Sequence, residues 1–301
     1  MANTIDYVQQ FSTMIDQMYA AEAKTYALTQ SNSGITFINA NTIKIPKLTL
    51  SGFKDHTRGG SFNSGSVGNE YEIMKLSHDR DREFVIDAMD VDETNAIVSI
   101  ANIQAQFERE QVIPEWDAYR LSKLYQDYTT KTKSTADVIE NNGTAIMQWF
   151  DNTMAAMDDA GVPEDGRILY CTPQYKTSLN SVLNRQLTAK DKVLETSIEA
   201  LGKVNIVSVP SGRMRTHYDY TDGFAPTDTA GAMAMILVHP TAVIARDKYA
   251  YMKAFAPGSD SRTADNWIYQ IRKYGDLFLL DNKTDGVAVA LSKAATEAAE
   301  A

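Results

Sequence analysis

The stretch from Ile43 to Asp87 limits the fold of this 301-residue chain more than any other segment. Thr42-Ile43-Lys44-Ile45-Pro46-Lys47-Leu48-Thr49-Leu50 reads as a strand. A second strand runs from Glu70 through Leu76 to Phe84-Val85-Ile86. Between them lies a polar, glycine-rich excursion that includes Lys54, Asp55, His56, Arg58, Gly60, Asn63, Gly65 and Gly68. Such a tip can bury almost nothing, and an isolated two-stranded hairpin is marginal in water. A long hairpin of this kind needs support from outside its own domain. A neighbouring copy of the same chain is the simplest support, which points to an assembly protein rather than a catalyst.

The bulk properties agree with a large globular chain. Hydrophobic residues make up 44% and charged residues 23%, which is ordinary for a packed domain. No apolar run reaches the ~20 residues of a membrane span, and the start Met-Ala-Asn-Thr-Ile-Asp lacks the basic and apolar segments of a signal peptide. The lone cysteine, Cys171, sits in the apolar run Ile168-Leu169-Tyr170-Cys171 and reads as a small buried hydrophobe, so no disulfide forms within the chain. The formal net charge of −10 argues against a protein that grips nucleic acid through its phosphates.

Periodicity sets the remaining elements. Ile5, Val8, Phe11, Ile15 and Met18 share one face of a helix over residues 4–20. The alternating charges of Ser77-His78-Asp79-Arg80-Asp81-Arg82 break the second strand, either as a solvated edge or as an ion-pair patch against a neighbour. Asp92-Glu93-Thr94 starts a helix that runs to about 128 and bends or breaks near Val112-Ile113-Pro114. Ser134 and Asp137 resemble a capping box, opening a helix that ends at Gly161. Strands follow at 167–172, 204–209 and 232–238, then one around Tyr249-Tyr251-Phe255. Two more lie at 267–271 and 277–280 on either side of a turn at Gly275, and the last covers 287–291.

The search for chemistry is mostly negative. His56, His78, His217 and His239 have no partner at metal-ligand spacing, and His239 before Pro240 reads as structural. The glycines at 59–68 lack the Lys-Ser/Thr of a phosphate loop. Asp281 to Gly286 lacks the closing glutamate of a calcium loop. The residues imply no catalytic group, no metal and no cofactor.

The order of elements resembles the major capsid protein of tailed bacteriophages, the Hong Kong ninety-seven capsid fold. Three phrases carry the resemblance: Val112-Ile113-Pro114-Glu115-Trp116-Asp117-Ala118-Tyr119-Arg120 in the long helix, Arg167 to Tyr175 as a strand, proline and helix, and Lys203 to Pro210 as the next strand and proline. The resemblance implies an α+β fold with an N-terminal arm at 1–40 and an extended loop with its flanking strands at 41–90. A peripheral domain with a spine helix would follow at 91–130 and an axial domain at 131–230. Strands returning to both domains and a tail would complete it at 231–301. Relatives with a fused scaffolding segment begin differently, so the expectation here is a separate scaffold.

The resemblance also implies a virion protein, assembled in the host cytoplasm as pentamers and hexamers of itself, with a scaffolding protein, a portal and decoration proteins as partners. It would enclose DNA without reading sequence and would not engage a membrane. Expected contacts between copies are Ile5, Val8, Phe11 and Ile15 on the arm, Lys54 and Arg58 on the tip, and Asp79, Arg80, Asp81 and Arg82. Two alternatives remain: an encapsulin-like bacterial compartment shell, and a soluble α/β enzyme with a mobile lid at 51–69.

Overall fold

The computed structural model describes residues 23–30, 42–56, 58, 60, 62–93, 100–133, 135–183, 200–258 and 265–293. A short helix α1 (Tyr26–Gln30) precedes the hairpin of β1 (Thr42–Leu50) and β2 (Val67–Lys75). Next come β3 (His78–Asp87), α2 (Ala88–Glu93), α3 (Ile100–Phe107) and α4 (Ile113–Thr132). The middle of the chain forms β4 (Asp137–Ile139), α5 (Gly143–Asp159), β5 (Ile168–Cys171) and α6 (Pro173–Leu183). Five strands follow: β6 (Ala200–Leu201), β7 (Val204–Ser208), β8 (Tyr218–Asp219), β9 (Ala225–Pro226) and β10 (Met233–Val238). The long strands β11 (Val243–Phe255) and β12 (Asn266–Leu279) and the final β13 (Val287–Ser292) complete the fold.

Two main sheets organise these elements. One has six strands in the order β4-β13-β10-β5-β7-β6, and the other has three in the order β11-β12-β3. The central strand β10 is buried at every position, as a strand covered on both faces must be. Alternation in β5 shows how the faces divide. Ile168 and Tyr170 join the core with Leu121 and Leu124 of α4. Leu169 and Cys171 point the other way, into the core made by Trp149 and Phe150 of α5 and Leu179 of α6. Cys171 is fully buried, and burial pushes its thiol up to about 11.

Several sequence expectations are corrected. Asp92 does not start a helix: it lies inside α2, where Asp87 caps the start by accepting from Met89 N. Asp137 is a strand residue paired in register with Ala290, so it caps no helix. Asn142 performs that role for α5, accepting from Thr144 N at 3.2 Å. The bend at Val112–Pro114 is a π-helical turn over Glu108–Val112, where Ile113 N donates to Glu108 O. A wider turn draws the carbonyls away from the ring of Pro114, so the helix continues through a proline that would otherwise break it.

Gly275 is no turn either. It sits within β12, which is unbroken for 14 residues. A Cβ there would lie 2.6 Å from Arg246 O, beside the register shift between Asp247 and Tyr249 on β11. The glycine therefore marks a close backbone approach at a bulge. The second hairpin strand breaks at Leu76-Ser77 rather than across 77–82. The charged run 79–82 belongs to β3, which leaves β2 and pairs with β12.

Candidate inter-subunit interface

The β1–β2 hairpin pairs over nine positions, from Thr42 opposite Lys75 to Leu50 opposite Val67. Opposed residues in a two-stranded ladder share a face, and successive residues alternate. Ile43 and Met74 therefore face one way, and they are buried with Leu76 against Ile244 and Phe278. Farther out on that face the pairs become polar, as with Lys47 opposite Glu70. The other face carries Ile73, Pro46, Tyr71, Leu48, Leu50 and Val67. The five large apolar side chains among these are 58–70% exposed. A contiguous exposed apolar strip of this kind is a candidate interaction surface.

The root of the hairpin is held firmly. Asp276, 1% exposed, accepts from Ser77 N at 2.8 Å and Ser77 Oγ at 3.0 Å, and from Tyr119 Oη at 2.7 Å. Glu72 and Asp281 both meet the Lys131 ammonium. Toward the tip, Ser51 and Ser66 exchange two hydrogen bonds and Asn63 donates to Asp55 O. Lys54, Arg58 and Phe53 are exposed, and Lys54 and Arg58 form no ion pair among the described residues.

The charged residues of β3 meet partners within the chain. Arg80 bonds Glu115 Oε1 at 2.6 Å and Gly223 O at 2.9 Å, and also reaches Tyr220 O, so it ties β3 to α4 and to the loop before β9. Arg82 meets Asp222 and Asp79 meets Arg272. Asp81 is exposed. His78 is stacked on Tyr119 at 3.7 Å between centroids, with Trp116 and Tyr220 edge-on. Burial, helped by the charges of Arg80 and Arg120, pulls its pKa down to about 3. It is therefore neutral, and its 3.7 Å approach to Glu115 is a contact rather than an ion pair. Burial also raises the Glu115 carboxyl, against the hydrogen bond from Arg80.

A groove of about 1020 Å³ opens between β3, the π turn with α4, and the loop at 221–223. Among the described residues no cluster of three or more His, Cys, Asp or Glu could hold a metal ion, and no helix is long and apolar enough to cross a membrane. Ile5, Val8, Phe11 and Ile15 lie outside the described residues. The apolar strip and the Lys131–Glu72 tie are what sequence reasoning missed. The strip was visible as alternation in β1 and β2, but the ladder register alone decides which residues share a face.

No family model and no curated protein matches this chain by sequence. Solved structures do match by fold. A chain of the bacteriophage PhiM1 mature capsid aligns with TM-score 0.69 and 12% identity, over 96% of this chain and 92% of that one. The capsid of Cyanophage P-SCSP1u aligns with TM-score 0.69 and 13% identity, over 95% and 93%. A chain from Mycobacterium phage Che8 gives 0.68 and 13%, over 95% and 97%. The mixed helix-and-sheet architecture of this chain is thus, over nearly its whole length, the fold found in phage capsid structures.

Proposed function

We propose that this chain is the major capsid protein of a tailed bacteriophage, whose copies close into an icosahedral shell around double-stranded DNA. The observation that carries the reading is the bare apolar face of the hairpin, on a chain that has the fold of phage capsid subunits. A free subunit leaves that strip in water, and assembly covers it. Burying one Leu or Tyr side chain is worth about 1.5–3 kcal/mol, and each shell repeats the contact at every subunit. Heterologous contacts of this type close rings first and shells next.

In this reading residues 1–40 are the arm, 41–90 the extended loop, 91–130 the peripheral domain with α4 as spine, and 131–230 the axial domain. The strands beyond 230 return to both. The protein resides in the virion after assembly in the host cytoplasm. A separate scaffold, a portal and decoration proteins are its partners. The acidic balance of −10 suits a wall that encloses DNA without gripping it.

The test is assembly. Purified chain, alone or with a scaffold, should sediment as pentamers, hexamers or shells and show shells in negative stain. The double variant Leu48→Asp, Tyr71→Asp should keep its circular dichroism and melting transition yet form no shells. A wild-type protein that stays a folded monomer in every condition removes the proposal.

A further inference from the structure

We propose that the groove along β4 takes a short extended segment of a separate protein, one that alternates lysine or arginine with apolar residues. The proposal goes beyond the shell reading and stands without it.

The groove measures about 730 Å³ and runs between β4, one flank of α5, the last turns of α4 and the start of β13. Its wall is an open sheet edge. β4 is an outermost strand of the six-stranded sheet and has β13 on one side only. Ser292 N is committed to Ala232 O on the β10 side, so the adjacent Leu291 turns its backbone groups toward β4. In a parallel pair such groups reach the residues on either side of the one directly opposite. Leu291 lies opposite Val138. Val138 therefore turns its own N–H and C=O outward, where they meet no protein partner among the described residues. Main-chain groups left open in this way are what an added strand pairs with.

Side chains along the groove define the rest of the ligand. Val138 is 48% exposed, and Trp149 and Ala156 of α5 and Ala288 of β13 add apolar surface. The lining carries three carboxylates, Asp137, Glu140 and Asp285, and no lysine or arginine. Lys293 neutralises Glu140. Asp137 accepts from the Trp149 indole N–H at 3.0 Å, and neither it nor Asp285 forms an ion pair among the described residues. Two unneutralised carboxylates beside an apolar slot fit a strand with cations on one side and apolar residues on the other, since successive residues of a strand alternate sides.

The ends of the chain do not fit. Residues 1–22 hold three acids and no lysine or arginine, and residues 294–301 hold two glutamates and neither cation. Either would bring like charge to the groove. Charge complementarity thus selects a foreign, cationic segment, and a second copy seated there is the competing outcome.

The probe is a fluorescein-labelled peptide of alternating lysine and valine, titrated with the full chain and read by anisotropy. A lysine–serine peptide keeps the charge without the apolar side, and a glutamate–valine peptide does the reverse. Only the lysine–valine peptide should bind. Gln148→Lys with Asp285→Lys adds three positive charges at exposed groove positions and should weaken binding about tenfold. Asp228→Lys with Thr229→Lys adds the same charge on the exposed loop after β9 and should leave binding unchanged. Val138→Pro removes the outward N–H from an edge strand, where proline is tolerated, and should also weaken binding. Circular dichroism checks that each variant is folded.

Equal weakening by both lysine pairs would show attraction to net charge alone and overturn the proposal. Tight binding of the lysine–serine peptide would do the same, as would a Val138→Pro chain that binds like wild type. Dimers that the groove lysines abolish, with no peptide bound, would place a second copy in the groove and overturn it too. Sedimentation scores shell assembly separately, so each of these results leaves the shell reading standing.

Discussion

Lys131, in the last turn of α4, places its ammonium 2.7 Å from Glu72 Oε1 on β2. The same ammonium lies 2.6 Å from Asp281 Oδ1 and also bonds Leu279 O. The contact joins the end of the longest helix in the described residues to the inner face of the hairpin. Burial opposes the charge, but the hydrogen bonds to Asp281 and Glu72 outweigh it and raise the pKa of the lysine.

Replacing Lys131 should therefore loosen the hairpin before it unfolds the body. Lys131→Met leaves two carboxylates facing each other, and a stability loss of about 2 kcal/mol is expected for this partly exposed site. Hydrogen exchange should accelerate at residues 43–46 and 72–75 while β10 stays protected. Uniform acceleration across both sheets would show that the lysine supports the whole core.

His78 predicts a pH dependence with a definite sign. Its folded pKa is about 3 and its ordinary value 6.5. Above 6.5 the stabilising effect of its burial is fully present. As pH falls from 6.5 toward 3, the unfolded chain takes up a proton that the fold refuses, and about 1.4 kcal/mol is lost per pH unit. By pH 5 the loss is about 2 kcal/mol. His78→Phe removes the titration and keeps an aromatic ring against Tyr119. Its stability should fall less than that of wild type between pH 7 and 5. Asp79 and Glu115 remain in both proteins, so the difference isolates His78, and parallel curves would refute its burial as a neutral ring.

Gly275→Ala tests the bulge. The new Cβ would sit 2.6 Å from Arg246 O and 2.9 Å from Asp247 Cα. It would also lie 2.8 Å from Asp247 Oδ1, but the nearest atom is backbone, so the sheet must shift, at a cost of about 1–3 kcal/mol. Urea denaturation should show a lower midpoint with an unchanged slope. An unchanged midpoint would mean that β11 and β12 can part freely there.

Asp117 anchors the segment ahead of α1. Its carboxylate, 1% exposed, accepts from Lys24 N, Thr25 N, Thr25 Oγ1 and Arg213 Nη1. Asp117→Asn removes one side of a buried ion pair, and such losses run to about 3–5 kcal/mol. Trypsin should then cut after Lys24 well before the body is digested. Cleavage at the wild-type rate would place the anchor elsewhere.

Much of this was legible from the sequence. The strands at 168–171, 204–208, 233–238 and 287–292 declare themselves through apolar runs bounded by proline and glycine. The hairpin could be read because alternation and a polar tip are local signals. What escaped depended on partners distant in sequence. Asp137 looked like a cap because its strand partner Ala290 is far along the chain. Gly275 looked like a turn because the carbonyl it must admit belongs to another strand. The charges at 79–82 looked like a strand break, since Glu115, Asp222 and Arg272, which balance three of them, are 35 or more positions away. Which face of the hairpin stays bare followed only from the register of β1 on β2.

That register also makes the hairpin a ruler with parity. Its nine paired positions reach about 30 Å at ~3.3 Å per residue. One residue added to each strand near the root would turn Leu48, Leu50, Val67 and Tyr71 to the opposite side. Two added to each would leave them facing as they do now and carry the tip about 7 Å farther. On the proposed reading, the spacing between neighbouring subunits is set in steps of two residues, and lengths between those steps turn the strip away from its partner.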